Sequence, residues 1–269
     1  MDQHRVSFSV FTKPWKTPLS ELARFVRGLG FEGIELPVRP GYQVLPEHVG
    51  RDLPAAARLL ADNGLKVFSV TPPGGWPAGP IPEPFIAACA EAGVPIIRVM
   101  APIGDDGYLA SAARLQREYD ALLPLLEKYG VQLGVQNHCD RMVCNAMGLR
   151  HLIERYDPRL IGAVWDAAHN ALNGEEPEMA IDIVWSHLCM VNLKNAYWRR
   201  ETGPEADDVR WRPWWTTGPQ GLASWPRVTA ELRRRDYRGV ICLPAEYSDE
   251  PAVDRLIAQD IAFAKALFA

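Results

Sequence analysis

The chain has 269 residues, of which 48% are hydrophobic and 23% are charged, and its formal net charge is −4. A chain of this length can bury a sizeable core without disulfides or structural metals, so it does not belong with the small disulfide-stapled domains. The acidic balance, without a block of Lys or Arg, argues against a nucleic acid partner, and no apolar stretch approaches the roughly 18 residues that a membrane span requires.

Eight short apolar runs recur along nearly the whole chain and predict β-strands. Each run is rich in Val, Ile and Leu, is bounded by Gly, Pro or Asn, and lacks the polar alternation of a half-exposed strand. Such runs are typical of strands covered on both faces. The predicted strands are Val6–Phe11, Gly33–Leu36, Lys66–Thr71, Pro95–Met100, Val131–Gln136, Ile161–Asp166, Leu188–Leu193 and Val240–Leu243.

Helical segments lie between these strands. Thr17-Pro18 is typical of a helix start and Asn63-Gly64 of a helix end. Strands that alternate with helices through short turns predict parallel strands joined by crossovers, so we expect one (β/α)8 TIM-barrel domain over residues 1–269. The predicted helices are Leu19–Leu29, Pro54–Asn63, Ser111–Tyr129, Met147–Tyr156, Ser224–Arg235 and Ala252–Phe268.

Two connections stand out by their composition. Residues 72–82 read PPGGWPAGPIP, and residues 196–223 contain four of the nine tryptophans, a density that argues against disorder. Because aromatic faces stack on the C–H surface of sugars, Trp76 and Trp215 are candidate substrate contacts at the barrel mouth. The alternative is that these rings pack the barrel rim or a contact between subunits.

Polar side chains end four of the predicted strands. Gln136, Asp166, Asn192 and Glu246 each lie at or directly after an apolar run, and imidazoles follow at His138 and His169. In a (β/α)8 barrel the active site lies where the strands end, so we expect these groups to converge at one mouth. Asp166 and Glu246 could instead cap the helices that follow, and the histidines could be structural.

Several motifs, taken in order, resemble one family. They are the run Gly30–Leu36, the pattern Trp165-Asp166-x-x-His169, the run Val191–Asn195, and the stretch from Gly218 to Glu246 with Tyr237-Arg238-Gly239. Together they resemble the sugar phosphate isomerase/epimerase family of xylose-isomerase-like TIM barrels over nearly the full length of the chain. The resemblance implies an enzyme that acts on a keto-sugar, a polyol or a related hydroxy-carbonyl compound.

The resemblance also implies a divalent metal. Its usual ligands are Glu, Asp, His and Glu at the ends of strands five to eight, which correspond here to Gln136, Asp166, Asn192 and Glu246. Two of the four are changed, because Gln136 replaces the expected glutamate and Asn192 the expected histidine. Oxygen ligands suit Mg²⁺ or Mn²⁺, but with one carboxylate fewer we expect weak binding or none.

Family epimerases commonly exchange protons with two glutamates. Gln136 has no titratable proton and cannot be one of the two bases, which favours a one-base isomerisation or an elimination. The predicted catalytic residues are therefore Glu246 as base with His169 and Lys194, while Glu35, His138 and the tryptophans are candidate substrate contacts. No Arg/Lys pair stands at a strand end, so an unphosphorylated substrate is favoured.

A binding protein that kept the barrel and lost the metal is the alternative of a different class; a lyase on the same scaffold is also open. A DNA-repair endonuclease of the same superfamily needs a denser metal-binding cluster than six histidines provide. The N-terminus lacks the pattern of a signal peptide, and five cysteines without a close CxxC pair suit reduced thiols. We therefore expect a cytoplasmic location, and the oligomeric state stays open, a homo-oligomer included.

Overall fold

Eight parallel strands close into a barrel in the computed structural model, which describes residues 6–73 and 81–269. The barrel strands are β1 (Ser7–Phe11), β2 (Gly33–Pro37), β3 (Lys66–Thr71), β4 (Ile96–Met100), β5 (Gln132–Gln136), β6 (Ile161–Asp166), β7 (Leu188–Asn192) and β10 (Val240–Leu243). Their order around the barrel is β1-β10-β7-β6-β5-β4-β3-β2. β8 (Asn195–Arg200) and β9 (Trp211–Thr216) form a separate antiparallel hairpin. The predicted eight-stranded barrel is confirmed, and each strand lies within one residue of its predicted bounds.

Nine helices lie among the described residues. They are α1 (Leu19–Gly28), α2 (Val49–Asp62), α3 (Glu83–Glu91), α4 (Tyr108–Tyr129), α5 (Ala146–Ile153), α6 (Ala167–Leu172), α7 (Pro177–Val184), α8 (Trp225–Arg234) and α9 (Val253–Phe268). All six predicted helices are present, whereas α3, α6 and α7 were not predicted. These three helices are short, with six to nine residues each, although Pro177 at the first turn of α7 was a usable start signal.

The start of α2 was predicted wrongly. Pro54 was taken as the first residue, but the helix begins five residues earlier, at Val49, and carries Pro54 in its interior. An interior proline lacks one backbone hydrogen bond. Burial of Val49 and Leu53 against the core compensates for this loss. Thr17-Pro18 does precede α1, but no side chain caps that helix.

The largest of three apolar clusters among the described residues joins the outward faces of the strands to the helices, with Trp165 and Trp225 among its largest fully buried side chains. A second cluster consists only of strand residues, because alternate residues of a strand point inward. It contains Phe11, Ile96, Val164, Met190 and Cys242. Polar strand residues follow it toward the carboxyl ends of the strands, where the mouth lies.

The tryptophan-rich connection after β7 is ordered, as its composition predicted. Asn195 anchors the β8–β9 hairpin, since its amide donates to Gly218 O (2.6 Å) and Ala223 O (2.8 Å) and accepts from Ala223 N (2.8 Å). The backbone N–H of Trp215 donates to Ser248 Oγ at 2.9 Å, which ties the hairpin to the chain after β10. The hairpin is thereby held beside the mouth. No helix in the described part of the chain combines the length and apolarity of a membrane span.

Candidate active site

A small cavity of about 100 Å³ lies among the carboxyl ends of the strands. Gln136, Asp166, Asn192 and Glu246, the four predicted ring residues, all line it. A wider cleft of about 800 Å³ adjoins it and shares Lys13, His138 and Glu246 with it. The predicted convergence of these side chains therefore holds in the structure, although their individual roles do not follow from convergence alone.

Gln136 bridges a cation and an anion. Its Oε1 accepts a hydrogen bond from the Arg98 guanidinium, and its Nε2 donates to Asp166 Oδ2 at 3.0 Å. A glutamine can do both because its amide carries an acceptor and two donors, whereas a carboxylate would repel Asp166. The amide at this position is therefore explained by its two neighbours.

Asp166 is fully buried and caps α6. Its Oδ1 accepts from the backbone N–H groups of Ala168 (3.0 Å) and His169 (3.1 Å), and Asn137 fixes its own backbone. Burial raises the pKa of Asp166 above its ordinary value, while Lys194 and the N–H of His169 oppose the rise. Asp166 Oδ1 thus caps α6, as the alternative interpretation expected, and Oδ2 faces Gln136 on the cavity side.

Glu246 is held between two lysines. The preceding residue, Ala245, has a left-handed backbone (φ 54°), a costly conformation for a residue with a Cβ. The carboxylate accepts from Lys13 on one oxygen and from Lys194 on the other, the latter at 2.5 Å. Burial alone would raise the pKa of Glu246, but Lys194 and Lys13 outweigh burial and hold it well below its ordinary value. Glu246 is therefore a firmly ionised carboxylate and a weak base.

Lys194 is buried, and its ammonium lies 3.7 Å from the centre of the Trp215 ring. Trp215 also meets His169 edge-on, with 5.2 Å between ring centres. A cation over an indole face gains electrostatic stabilisation that grows as water is excluded. One face of Trp215 is thus occupied by the protein itself, which leaves the predicted sugar stacking as an untested expectation.

The rings of His138 and His169 lie against each other, with 3.9 Å between ring centres and 34° between ring planes. Their hydrogen bonds assign opposite tautomers. His138 Nδ1 lies 2.8 Å from Cys139 O, an acceptor, so Nδ1 carries the proton and Nε2 a lone pair. His169 Nδ1 accepts from the Cys139 N–H at 3.1 Å, so its proton is on Nε2. Burial lowers the pKa of both rings, that of His169 strongly, and keeps them neutral.

Besides Arg39 Nε, two buried polar atoms at the cavity lack a hydrogen-bond partner among residues 6–73 and 81–269. They are His169 Nε2, a donor, and Asn192 Oδ1, an acceptor. Buried polar groups in native proteins are normally paired, and an exception calls for an explanation such as a bound molecule. A hydroxyl group can accept one hydrogen bond and donate another, so these two atoms suit a hydroxylated ligand.

Basic residues that the sequence interpretation missed line the β2–β4 side. Arg98, in the middle of β4, pairs with the fully buried Glu35 and lies over the Phe11 ring at 4.9 Å. Arg39, in the loop after β2, donates to Thr71 Oγ1 at 3.1 Å. The sequence interpretation looked for a basic pair only at strand ends, whereas Arg98 lies in the middle of a strand and Arg39 lies two residues after one. A charged residue inside an apolar strand was the signal that could have identified Arg98.

Glu35 is not among the residues that line either cavity. Burial raises its pKa and Arg98 opposes that rise, so its evident role is to hold the guanidinium that does line the cavity. The predicted substrate contact at Glu35 thus has a protein partner instead. Trp76, the remaining predicted contact, lies outside the described residues.

The ring of four does not fit a divalent cation as its side chains are arranged. Gln136 turns an N–H toward Asp166 and its oxygen toward Arg98, so these two residues do not direct oxygens to one point. Both oxygens of Glu246 are bound by ammonium groups. Mg²⁺ requires about six oxygen ligands including water, and Asn192 alone of the four keeps a free oxygen. The sequence predicted weak binding of Mg²⁺ or Mn²⁺, or none, and this arrangement of side chains favours none.

A second group of metal-ligand type consists of His138, Cys139 and His169, whose ligand atoms lie within 4.8 Å of one another. Its chemistry opposes metal binding as well. Burial raises the pKa of Cys139 to about 12, which keeps the thiol protonated. Both imidazoles also have one nitrogen committed to the Cys139 backbone. A thiol is a good metal ligand only as a thiolate. This group is therefore better explained as two imidazoles that hydrogen bonds to the Cys139 backbone hold in place.

Sequence comparison identifies the family. The model for the xylose isomerase-like TIM barrel matches residues 23–267. The chain belongs to this family. The resemblance inferred from the strand-end motifs is therefore confirmed. No curated protein matches the chain significantly in sequence.

Solved structures support the same fold for this xylose isomerase-like barrel. D-psicose 3-epimerase with D-tagatose from Clostridium cellulolyticum H10 is 14% identical, with a TM-score of 0.73 over 98% of this chain and 99% of that one. The 3-keto-D-glucoside 4-epimerase YcjR from E. coli is 12% identical, with a TM-score of 0.74 over 97% and 100%. The IOLI protein with a bound zinc atom is 14% identical, with a TM-score of 0.73 over 97% and 96%.

Proposed function

We propose that this protein is an isomerase or epimerase that moves a proton next to the carbonyl group of a small hydroxy-carbonyl compound. The observation that carries the proposal is a neutral imidazole with a free lone pair, on His138, which lines the same wider cleft as the Lys13–Glu246–Lys194 cluster. Membership of a barrel family whose structural neighbours include two sugar epimerases supports the same class of reaction.

His138 is the proposed base. A general base needs a lone pair at the working pH, and burial lowers the pKa of His138 from its ordinary value, so the ring is unprotonated near pH 7. Its Nδ1–H is fixed on Cys139 O, which directs Nε2 away from the backbone. Glu246 was the base expected from the sequence, but two lysines hold its pKa well below its ordinary value. It is a weaker candidate for that reason.

Lys194 is the proposed electrophile. When a proton leaves the carbon next to a carbonyl, negative charge develops on the oxygen, and a buried ammonium group stabilises it more strongly than bulk water does. Lys194 is buried and held in place by Glu246 and the Trp215 ring. Glu246 then acts as the anchor that orients the two lysines. His169 Nε2–H and Asn192 Oδ1 are proposed contacts for a substrate hydroxyl group.

The enediolate that forms when His138 takes the proton can lead to three products. Return of that proton to the former carbonyl carbon, with transfer of the hydroxyl proton to the former carbonyl oxygen, gives isomerisation. Return of a proton to the other face of the original carbon gives epimerisation and requires a second acid. Loss of a hydroxyl group from the next carbon, protonated as it leaves, gives elimination. We favour isomerisation because one imidazole supplies both steps, and product analysis separates these outcomes.

Deuterium exchange tests the proposal. The enzyme is incubated in D₂O with a panel of keto-sugars and small hydroxy-ketones, both neutral ones and ones that carry a carboxylate or phosphate group, and NMR follows the loss of the proton next to the carbonyl. We expect exchange with the wild type and a decrease of about 10²-fold or more in His138→Gln, the usual contribution of a general base. His151→Gln is the matched control, because His151 is exposed on α5.

Each result has a definite meaning. Exchange that persists in His138→Gln but disappears in Glu246→Gln would return the role of base to Glu246. A panel without any exchange would contradict the proposed reaction class and favour a binding protein built on the same barrel.

A further inference from the structure

The guanidinium of Arg39 lines the cavity without a carboxylate partner in the described ranges. Its one side-chain hydrogen bond within those ranges is the bond to Thr71 Oγ1 at 3.1 Å. Its Nε is buried and has no hydrogen-bond partner among the described residues. Burying an ionised group is costly unless it is paired, so an arginine in this state suits a negatively charged ligand.

Neighbouring carboxylates are committed elsewhere. Glu35 is bound by Arg98, and Glu246 is bound by Lys13 and Lys194. The carboxylates of Glu35 and Glu246 act on Arg39 only through longer-range attraction, whereas Arg98 repels it. The residues that line the cavity include three cations, Lys13, Arg39 and Arg98, and two carboxylates, Asp166 and Glu246. Among the described residues, Arg39 is the one of these cations that has no carboxylate partner.

The guanidinium groups of Arg39 and Arg98 both lie over the Phe11 ring. Their guanidinium carbons lie 5.8 Å and 4.9 Å from the centre of the Phe11 ring. Two guanidinium groups over one ring repel each other, and an anion placed between them would relieve that repulsion. Arginine also offers a planar set of donors that matches a carboxylate or a phosphate.

The cavity is therefore divided into two halves. Arg39, Thr71 and Arg98 come from the β2, β3 and β4 side, and together they offer donors for an anion. Asp166 and Asn192, at the ends of β6 and β7, and Glu246, after β10, stand on the other side with the imidazoles. A ligand that spans the cavity would place a charged end on the first side and its reacting carbons on the second.

We propose that the ligand of this site carries a terminal anionic group, a carboxylate or a phosphate, which Arg39 binds with the help of Thr71 and Arg98. This inference rests on the proposed function only for which end of the ligand reacts. The anion site itself is inferred from the charged residues that line the cavity. It replaces the neutral sugar that the sequence favoured. A cavity of about 100 Å³ limits the bound part to a few carbon atoms.

Calorimetric titration with three probes of one carbon skeleton tests the proposal. Glycerol is neutral, D-glycerate carries a carboxylate, and glycerol 3-phosphate carries a phosphate. We expect the wild type to bind at least one of the two anions and to bind glycerol at least tenfold more weakly. The preferred anion distinguishes the two sources of charge.

Variants of Arg39 locate the site. We expect Arg39→Gln to weaken binding of the preferred anion at least tenfold, which corresponds to about 1.4 kcal/mol. Arg39→Lys, which keeps the charge, should retain part of the affinity. Arg58→Gln is the matched control, because Arg58 is exposed on α2 and its replacement removes the same charge.

Three outcomes would contradict the proposed anion site. Binding of glycerol as tight as that of both anions, failure of both anions to bind, or unchanged affinity in Arg39→Gln would overturn the anion site. If Arg39→Gln does not fold, the comparison of the three probes on the wild type still tests whether the site prefers an anion. Since binding requires no turnover, anion binding without deuterium exchange would refute the proposed reaction alone.

Discussion

Replacing Arg98 by methionine should destabilise the protein strongly. The guanidinium is the ionic partner of Glu35, whose side chain is 0% exposed, and it also donates to Gln136 Oε1. Methionine keeps much of the side-chain volume but removes every donor, so Glu35 would be left buried without its cation. Breaking a buried ion pair by removing one partner costs about 3–5 kcal/mol, a large part of the 5–15 kcal/mol that stabilises a typical domain.

The loss of stability in Arg98→Met should depend on pH. Burial already raises the pKa of Glu35, and removal of Arg98 takes away the opposing attraction, so the folded pKa moves further above the unfolded value of about 4.3. An acid with a raised folded pKa binds its proton more tightly in the native state, so stability falls as pH rises above the unfolded pKa. The defect of Arg98→Met should therefore be larger at alkaline than at mildly acidic pH.

Urea unfolding followed by tryptophan fluorescence measures the effect, at about pH 5.5 and about pH 8.5. Glu35→Gln/Arg98→Met, which removes both charges, should recover much of the lost stability, and Arg58→Met is the surface control. An unfolding midpoint for Arg98→Met equal to that of the wild type at both pH values would refute the buried ion pair. So would a double variant no more stable than the single one.

Two further predictions concern pH and metal. Burial raises the pKa of Asp260 to about 6, although Gly218 N–H and the Tyr247 hydroxyl donate to it. Its contribution to stability is therefore full below the unfolded pKa of about 3.9 and is lost as pH rises to about 6, by about 3 kcal/mol. Asp260→Asn should flatten this fall in urea midpoints, and an unchanged pH profile would contradict the assignment. For metal, Mn²⁺ should leave the melting temperature of the wild type unchanged but raise that of Gln136→Glu/Asn192→His, which restores the family ligands. Stabilisation of the wild type by Mn²⁺ would show that the ring rearranges around an ion.

Local pattern determined the barrel and its elements. Apolar runs without polar alternation predicted all eight strands, because burial on both faces leaves that signature in the sequence itself. Helices with a clear apolar stripe, such as α1, were equally visible, whereas α6, six residues that begin after Asp166, left no repeat to detect. Polar residues at strand ends pointed to the mouth, since parallel strands bring their carboxyl ends to one face of the barrel.

Only the tertiary structure decided how the side chains at the mouth pair. Lys13 and Glu246 are 233 positions apart, and Arg98 reaches Glu35 across 63 positions, so no local pattern relates them. The direction in which the Gln136 amide points, and with it the poor fit to a metal ion, depends on the cation and anion on either side of it. Long-range contacts also left Arg39 without a carboxylate partner within residues 6–73 and 81–269, because Glu35 and Glu246 are held by other cations. Charge pairing is a property of distances in space, which the order of residues along the chain does not contain.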